Sequence, residues 1–214
     1  MTYLAALRTA SLLSIIAVTT PYVSAQSHTD KQAEFKAVLE QVKRSDPSVD
    51  FAHLRMLATE LDSYSTLKSG PSRDKMNAAL RSNDYKSALK FAEKDLADNY
   101  LDIDAQIGAM AAADKLGDDT KAAHHRYVAK GIIDSILSSG DGKATATAYK
   151  VIAISEEYAV LMVLGLRPQS QGLNHTDGHD YDVLTAIDPK TNESRTLYFN
   201  IDPIWAAETK LFRR

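Results

Sequence analysis

The periodicity of the chain changes once, at Ser138-Ser139-Gly140-Asp141-Gly142-Lys143. Before this stretch, apolar residues recur every three or four positions, the spacing that lines one face of a helix. After it, apolar and polar residues alternate in short runs between turn residues, the pattern of strands. The predicted fold is α+β. An N-terminal α-helical hairpin array occupies residues 26–138. A small antiparallel β-meander with a short C-terminal helix occupies residues 139–214 and packs with the helices as one globular unit. Gly140 is expected to end the last helix in a left-handed conformation, with Asp141-Gly142 forming the turn.

In the helical part, Phe35, Val38, Leu39 and Val42 follow i, i+3, i+4, i+7 spacing, and the pattern stops at Asp46-Pro47. Asp50 suits the N-cap of a second helix bearing Phe51, Leu54, Leu57, Ala58 and Leu61. Gly70-Pro71-Ser72 is the next break. Beyond it the chain repeats itself. Asp84-Tyr85-Lys86-Ser87-Ala88 aligns with Asp118-Asp119-Thr120-Lys121-Ala122, an offset of 34 residues. That period resembles tetratricopeptide repeats, as does the small-residue face Ala105, Gly108, Ala109, Ala112 and Ala113. Asn99-Tyr100 stands where such repeats usually carry proline, and no Trp opens either unit. Two units are too few to stand alone, so residues 29–68 and the strands are expected to cap them.

In the second part, residues 149–154 read as a strand, 155–157 as its turn and 158–164 as a nearly all-apolar return strand ended by Gly165. Residues 168–180 read as a polar loop. A second hairpin joins 181–187 to 196–201 through the polar turn 188–193. No connection is long enough for a parallel crossover, so all pairing is expected to be antiparallel. Leu197, Phe199 and Ile201 should face inward, leaving Tyr198, Asn200 and Asp202 on the other side. Trp205 and Leu211 of the tail should pack down.

The first 25 residues read as a targeting segment. Leu12, Leu13, Ile15, Ile16, Ala17 and Val18 form an apolar stretch after Arg8, Pro21 breaks it, and Val23-Ser24-Ala25 offers a small-residue cleavage site. The stretch is shorter than the roughly 20 apolar residues of a membrane span. A signal peptide cleaved after Ala25 is expected, leaving a periplasmic or secreted chain with no stable membrane anchor. The chain has no cysteine, which excludes disulfides, thiolate metal sites and a Cys nucleophile. A net charge of -3 gives no electrostatic basis for binding nucleic acid.

One set of residues carries a family resemblance. Ser139-Gly140-Asp141-Gly142, Ala148-Tyr149, Val151-Ile152, Glu156-Glu157-Tyr158, Leu164-Gly165-Leu166, Gln171, Gly178, Tyr181-Asp182 and Tyr198-Phe199-Asn200-Ile201 resemble the domain of unknown function 4919 family. The resemblance is specific from about residue 132 to 202. It implies an exported bacterial protein and transfers no catalytic residue.

Three motifs could carry chemistry. Gly140-Asp141-Gly142-Lys143 fails as a phosphate loop, because Leu137 and Ala144 stand where the loop needs Gly and Ser or Thr. Glu156-Glu157 could supply an acid and a base, but neighbours in a strand point to opposite faces. His175, Asp177 and His179 offer imidazole and carboxylate ligands for a divalent metal, although Asp177-Gly178 is also a strong turn signal. His124-His125 lies on a helix, where neighbours diverge by about 100°.

No hydrolase elbow, metalloprotease motif or dinucleotide fingerprint occurs, which weighs against an enzyme, and no cofactor is implied. The expected function is binding of a protein or peptide partner, since helical repeats present extended surfaces. Glu157, Tyr158, Tyr181, Asp182, Tyr198 and Asn200 are the candidate binding residues. The alternatives are a metal-assisted hydrolase using residues 175–182 with Glu157, and a purely structural envelope protein.

Overall fold

The computed structural model describes residues 22–61, 64 and 72–212. Residues 1–21 of the expected targeting segment lie outside them. Six helices come first: α1 (Tyr22–Lys43), α2 (Phe51–Glu60), α3 (Arg73–Arg81), α4 (Tyr85–Asp98), α5 (Ile103–Leu116) and α6 (Asp119–Leu137). A two-residue strand β1 (Tyr149–Lys150) leads into α7 (Ile154–Val163), followed by β2 (Arg167–Thr176), β3 (His179–Ile187), β4 (Ser194–Asn200) and α8 (Asp202–Phe212). The fold is α+β. No helix among the described residues is long and apolar enough to cross a membrane.

Aspartates start α2, α4, α5 and α6. Asp50, Asp84, Asp102 and Asp118 each accept a hydrogen bond from the amide three residues on, at 2.9, 3.1, 3.1 and 3.0 Å. Each bond satisfies one of the amides a helix start leaves without a partner. Asp84 and Asp118 are the equivalent positions of the 34-residue offset, so the offset maps one helix start onto another. Left-handed residues follow the ends of α1, α3, α5 and α7: Ser45, Asn83, Gly117 and Gly165 have φ of 54°, 60°, 74° and 70°. The expected left-handed Gly140 is not among them. Helix α6 stops at Leu137, and Gly142 takes the positive φ, 68°. Gly140 is required for space instead, because a Cβ there would overlap the carbonyls of Thr147 and Ala148.

The strands differ from expectation in three ways. Residues 154–163 form helix α7, with Glu156 and Glu157 in its first turn. A continuous apolar run has no periodicity to separate strand from helix, and acids near a helix N-terminus favour the helix. Residues 167–176 form β2, a strand closed onto β3 by Asp177 and Gly178 at φ 55° and 80°. Asp-Gly with both φ positive matches the twist of a two-residue hairpin. Finally, β1 pairs with β4 in parallel, Tyr149 opposite Phe199, so the sheet order is β1-β4-β3-β2. The crossover is α7 together with the β2–β3 hairpin. The β3–β4 hairpin stands where it was expected, with Leu184 opposite Leu197.

One buried cluster runs through both regions, from Val42, Leu54 and Ile132 to Leu184, Phe199 and Ile201. Leu197, Phe199 and Ile201 face inward. Trp205 does not pack down; it is 49 % exposed, and Ile204 and Ala207 of α8 are buried in its place. The side chain of Leu211 lies outside the described residues.

Candidate functional site

The helical array and the sheet are joined by an ion pair in the core. Arg55 of α2, 2 % exposed, donates from Nε to Glu156 Oε1 at 2.9 Å and from Nη2 to Oε2 at 2.5 Å. It also reaches Ser135 Oγ at 3.1 Å and the Lys150 carbonyl at 3.0 Å, while the Ile152 amide donates to Glu156 Oε2 at 2.8 Å. One guanidinium thus ties α2, α6, β1 and α7 together. Its planar fork matches a carboxylate in two places, which a lysine cannot do.

Glu157 is different. It is fully buried, and among the described residues neither carboxylate oxygen has a hydrogen-bond donor. Burial first, then the charge of Asp182 beside it, raises its pKa to about 9. Two acceptor-only carboxylates cannot bond to each other, but a protonated Glu157 can donate to Asp182. The pair therefore holds a proton at neutral pH. Asp182, 3 % exposed on β3, accepts from Gln171 Nε2 of β2 at 2.7 Å. Gln171 Oε1 in turn accepts from Tyr158 Oη at 3.0 Å. This polar chain runs from the core to the surface.

The surface at its end is apolar. Helix α7 buries Glu156 and Glu157 and exposes Ile154, Tyr158 and Met162, three residues at four-residue spacing on one face. Met162 is 54 % exposed, with Val163 beside it. Leu173 on neighbouring β2 is 73 % exposed. A surface helix ordinarily shows the reverse arrangement, with acids outward and apolar residues inward. Strand β2 is the edge of the sheet, exposed along most of its length and paired on one side only.

The candidate residues divide between two faces. Glu157 and Asp182 lie together on the core face, with Tyr158 at the surface above them. Tyr181 and Asn200 sit directly opposite each other on the other face, with Tyr198 two residues along β4. Asn200 and Asp202 hold each other there at 3.1 Å (Asp202 N to Asn200 Oδ1) and 3.3 Å. Strand alternation explains the split, since Tyr181 and Asp182 are adjacent.

The same alternation separates the histidines. His175 is opposite Asp180 and bonds it at 2.8 Å, whereas His179, one residue over, turns to Asp202 at 2.5 Å. Burial pushes the Asp202 carboxyl up, but the Asp180 amide, His179 and Asn200 outweigh it and hold it below the usual range. Asp177 is exposed in the turn. Among the described residues no three His, Cys, Asp or Glu side chains converge where a metal could be held.

Arg55, Met162 and Leu173 were missed by sequence reasoning. Gln171 stood in the family pattern without a role. An arginine among the apolar residues of α2 was the one available signal for the ion pair.

An α+β chain with a helical array sharing its core with a four-stranded mixed sheet is the class these features define. A family described as a domain of unknown function (DUF4919) matches residues 25–210, and the chain belongs to it. No curated protein and no solved structure matches the chain.

Proposed function

We propose that this is an exported binding module of the bacterial envelope that takes up an extended segment of a partner protein along the open edge of β2. The carrying observation is the reversed helix α7, which buries two acids and presents Ile154, Tyr158 and Met162 beside the unpaired edge and Leu173. An added strand would satisfy the edge amides and carbonyls, and its side chains would cover the apolar stripe. Tyr158, tethered to Gln171, is part of the apolar stripe, and the Glu157–Asp182 pair lies beneath it. The two helix hairpins α3–α4 and α5–α6 are read as tetratricopeptide-like units that support this surface. For export, the apolar leader and the family match beginning at residue 25, next to the expected cleavage after Ala25, support the reading.

The test is site-specific photo-crosslinking in the native host. A benzophenone side chain at Met162 or at Leu173 should trap the same partner, and one at Lys90 on α4 should trap none. Leu173→Lys should abolish the adduct formed from position 162. Absence of an intermolecular adduct from both positions would refute the reading.

A further inference from the structure

A second cluster lies where the turn after α1 meets α6 and the connection between α4 and α5. Ser45 follows the last residues of α1 and is fixed in the left-handed region at φ 54°, with its amide bonded to the Val42 carbonyl at 2.8 Å. Glycine adopts that conformation freely, whereas serine adopts it only under strain. The serine side chain there aims at α6: Ser45 Oγ is 2.8 Å from His124 Nδ1. The other ring nitrogen, Nε2, is 2.6 Å from Tyr100 Oη. Burial lowers the pKa of His124, which leaves the ring a neutral base.

These groups open on a cleft of about 730 Å³ lined by Lys43, Arg44, Lys121 and Tyr127 as well as Ser45 and His124. Asp119 is the one acid on its lining. Lys43 and Lys121 are paired with Glu40 and Glu93 at 2.7 Å each, both at exposed positions. Arg44 forms no ion pair among the described residues. The cleft therefore offers a hydroxyl bonded to an imidazole, beside a cationic group that forms no ion pair among the described residues.

We propose that Ser45 and His124 form an acyl-transfer site that hydrolyses small esters carrying an anionic group on the acyl chain. A neutral imidazole has one N–H and one acceptor nitrogen. Nε2–H donates to Tyr100 Oη, so Nδ1 accepts the Ser45 hydroxyl proton. Ser45 Oγ bonds to the ester carbonyl carbon as its proton passes to Nδ1. The carbon–oxygen bond to the alcohol then breaks, and that proton leaves with the alcohol oxygen. Water attacks the resulting acyl-serine in the same way, its proton returning through Nδ1 to Ser45, and the free acid departs. Arg44 binds the anionic end. Tyr100 is a positioning residue that holds the tautomer.

The full chain is treated with a biotinylated fluorophosphonate, and labelled peptides are mapped by mass spectrometry. The expected adduct is on Ser45. It should be absent in Ser45→Gly, which suits the left-handed backbone, and should form about 100-fold more slowly or less in His124→Asn. Ring-nitrogen NMR should show His124 protonated at Nε2, with a mixture of tautomers in Tyr100→Phe. Hydrolysis of 4-nitrophenyl hydrogen succinate should exceed that of 4-nitrophenyl acetate, and Arg44→Ala should remove the difference. No Ser45 adduct on the folded protein, or a proton found on Nδ1, overturns the proposal. If His124→Asn fails to fold, the Ser45→Gly comparison and the wild-type NMR still decide it.

Discussion

Replacing Glu157 by glutamine should make the protein more stable, and increasingly so as the pH rises. The side chain is fully buried, its oxygens lack donors among the described residues, and its pKa rises from 4.5 to about 9 on folding. An acid with a raised folded pKa binds its proton more tightly when folded. Below pH 4.5 both states are protonated and nothing is lost. Between 4.5 and 9 the unfolded chain releases the proton and the folded chain keeps it, so stability falls by about 1.4 kcal/mol per pH unit. That amounts to about 0.7 kcal/mol at pH 5, about 3 at pH 7 and about 5 at pH 8.5. Glutamine copies the neutral acid, since its amide can donate to Asp182 as the shared proton does. Glu157→Gln should thus match the wild type near pH 4.5 and exceed it by about 3 kcal/mol at pH 7, raising the Tm by about 6–12 °C. Urea denaturation of both proteins at pH 5, 7 and 8.5 measures the difference directly. A difference that stays constant with pH, or a destabilised variant at pH 7, would refute the reasoning. Since whole domains are stable by about 5–15 kcal/mol, this is a large fraction of the total. A group so expensive to the fold and so close to the apolar stripe is a candidate for function.

Two further substitutions test the frame around the site. Arg55→Met leaves Glu156 charged and unpaired in the core and should cost about 3–5 kcal/mol in denaturant melts, while adding Glu156→Leu should recover most of that loss. Gly131→Ala should lower the melting temperature even though alanine favours helices by about 1 kcal/mol, because its Cβ would overlap the Phe51 ring where α2 lies on α6, an overpacking worth about 1–3 kcal/mol. A higher melting temperature for that variant would show that α2 can shift away freely.

Local rules carried the helical part. Asp50 acts within three residues of itself, so its capping role was legible in the sequence, whereas Asp84 and Asp118 were noticed only through the 34-residue offset and cap their helices in the same way. The alternation of Leu197, Phe199 and Ile201 placed the last strand correctly for the same reason. The failures share a cause as well. Residues 158–164 are nearly all apolar, and the acids at the start of α7 together with packing against α5, α6 and β2 make them helical, which leaves Tyr158 and Met162 outside. Arg55 and Glu156 are 101 residues apart, and Ser45 and His124 are 79 apart. No spacing rule reaches across such distances. Residues 167–176 looked like a loop because an exposed edge strand has no buried face to impose alternation.

The two sides of the sheet are unequal. On the β4 side, Tyr149 and Lys150 lie alongside Phe199 and Asn200, the Val151 amide reaches the Asn200 carbonyl at 3.3 Å, and the Tyr198 amide reaches the Gly142 carbonyl at 2.8 Å. The chain's own junction thus covers the Tyr198–Asn200 end of that margin, and among the described residues β2 is the strand left open along its whole length. Endless growth of a sheet from one molecule to the next needs a free margin at both ends. Two copies that met through β2 would use the same strand on each and would close as a twofold pair. A pair closed in that way leaves no β2 margin for a third copy.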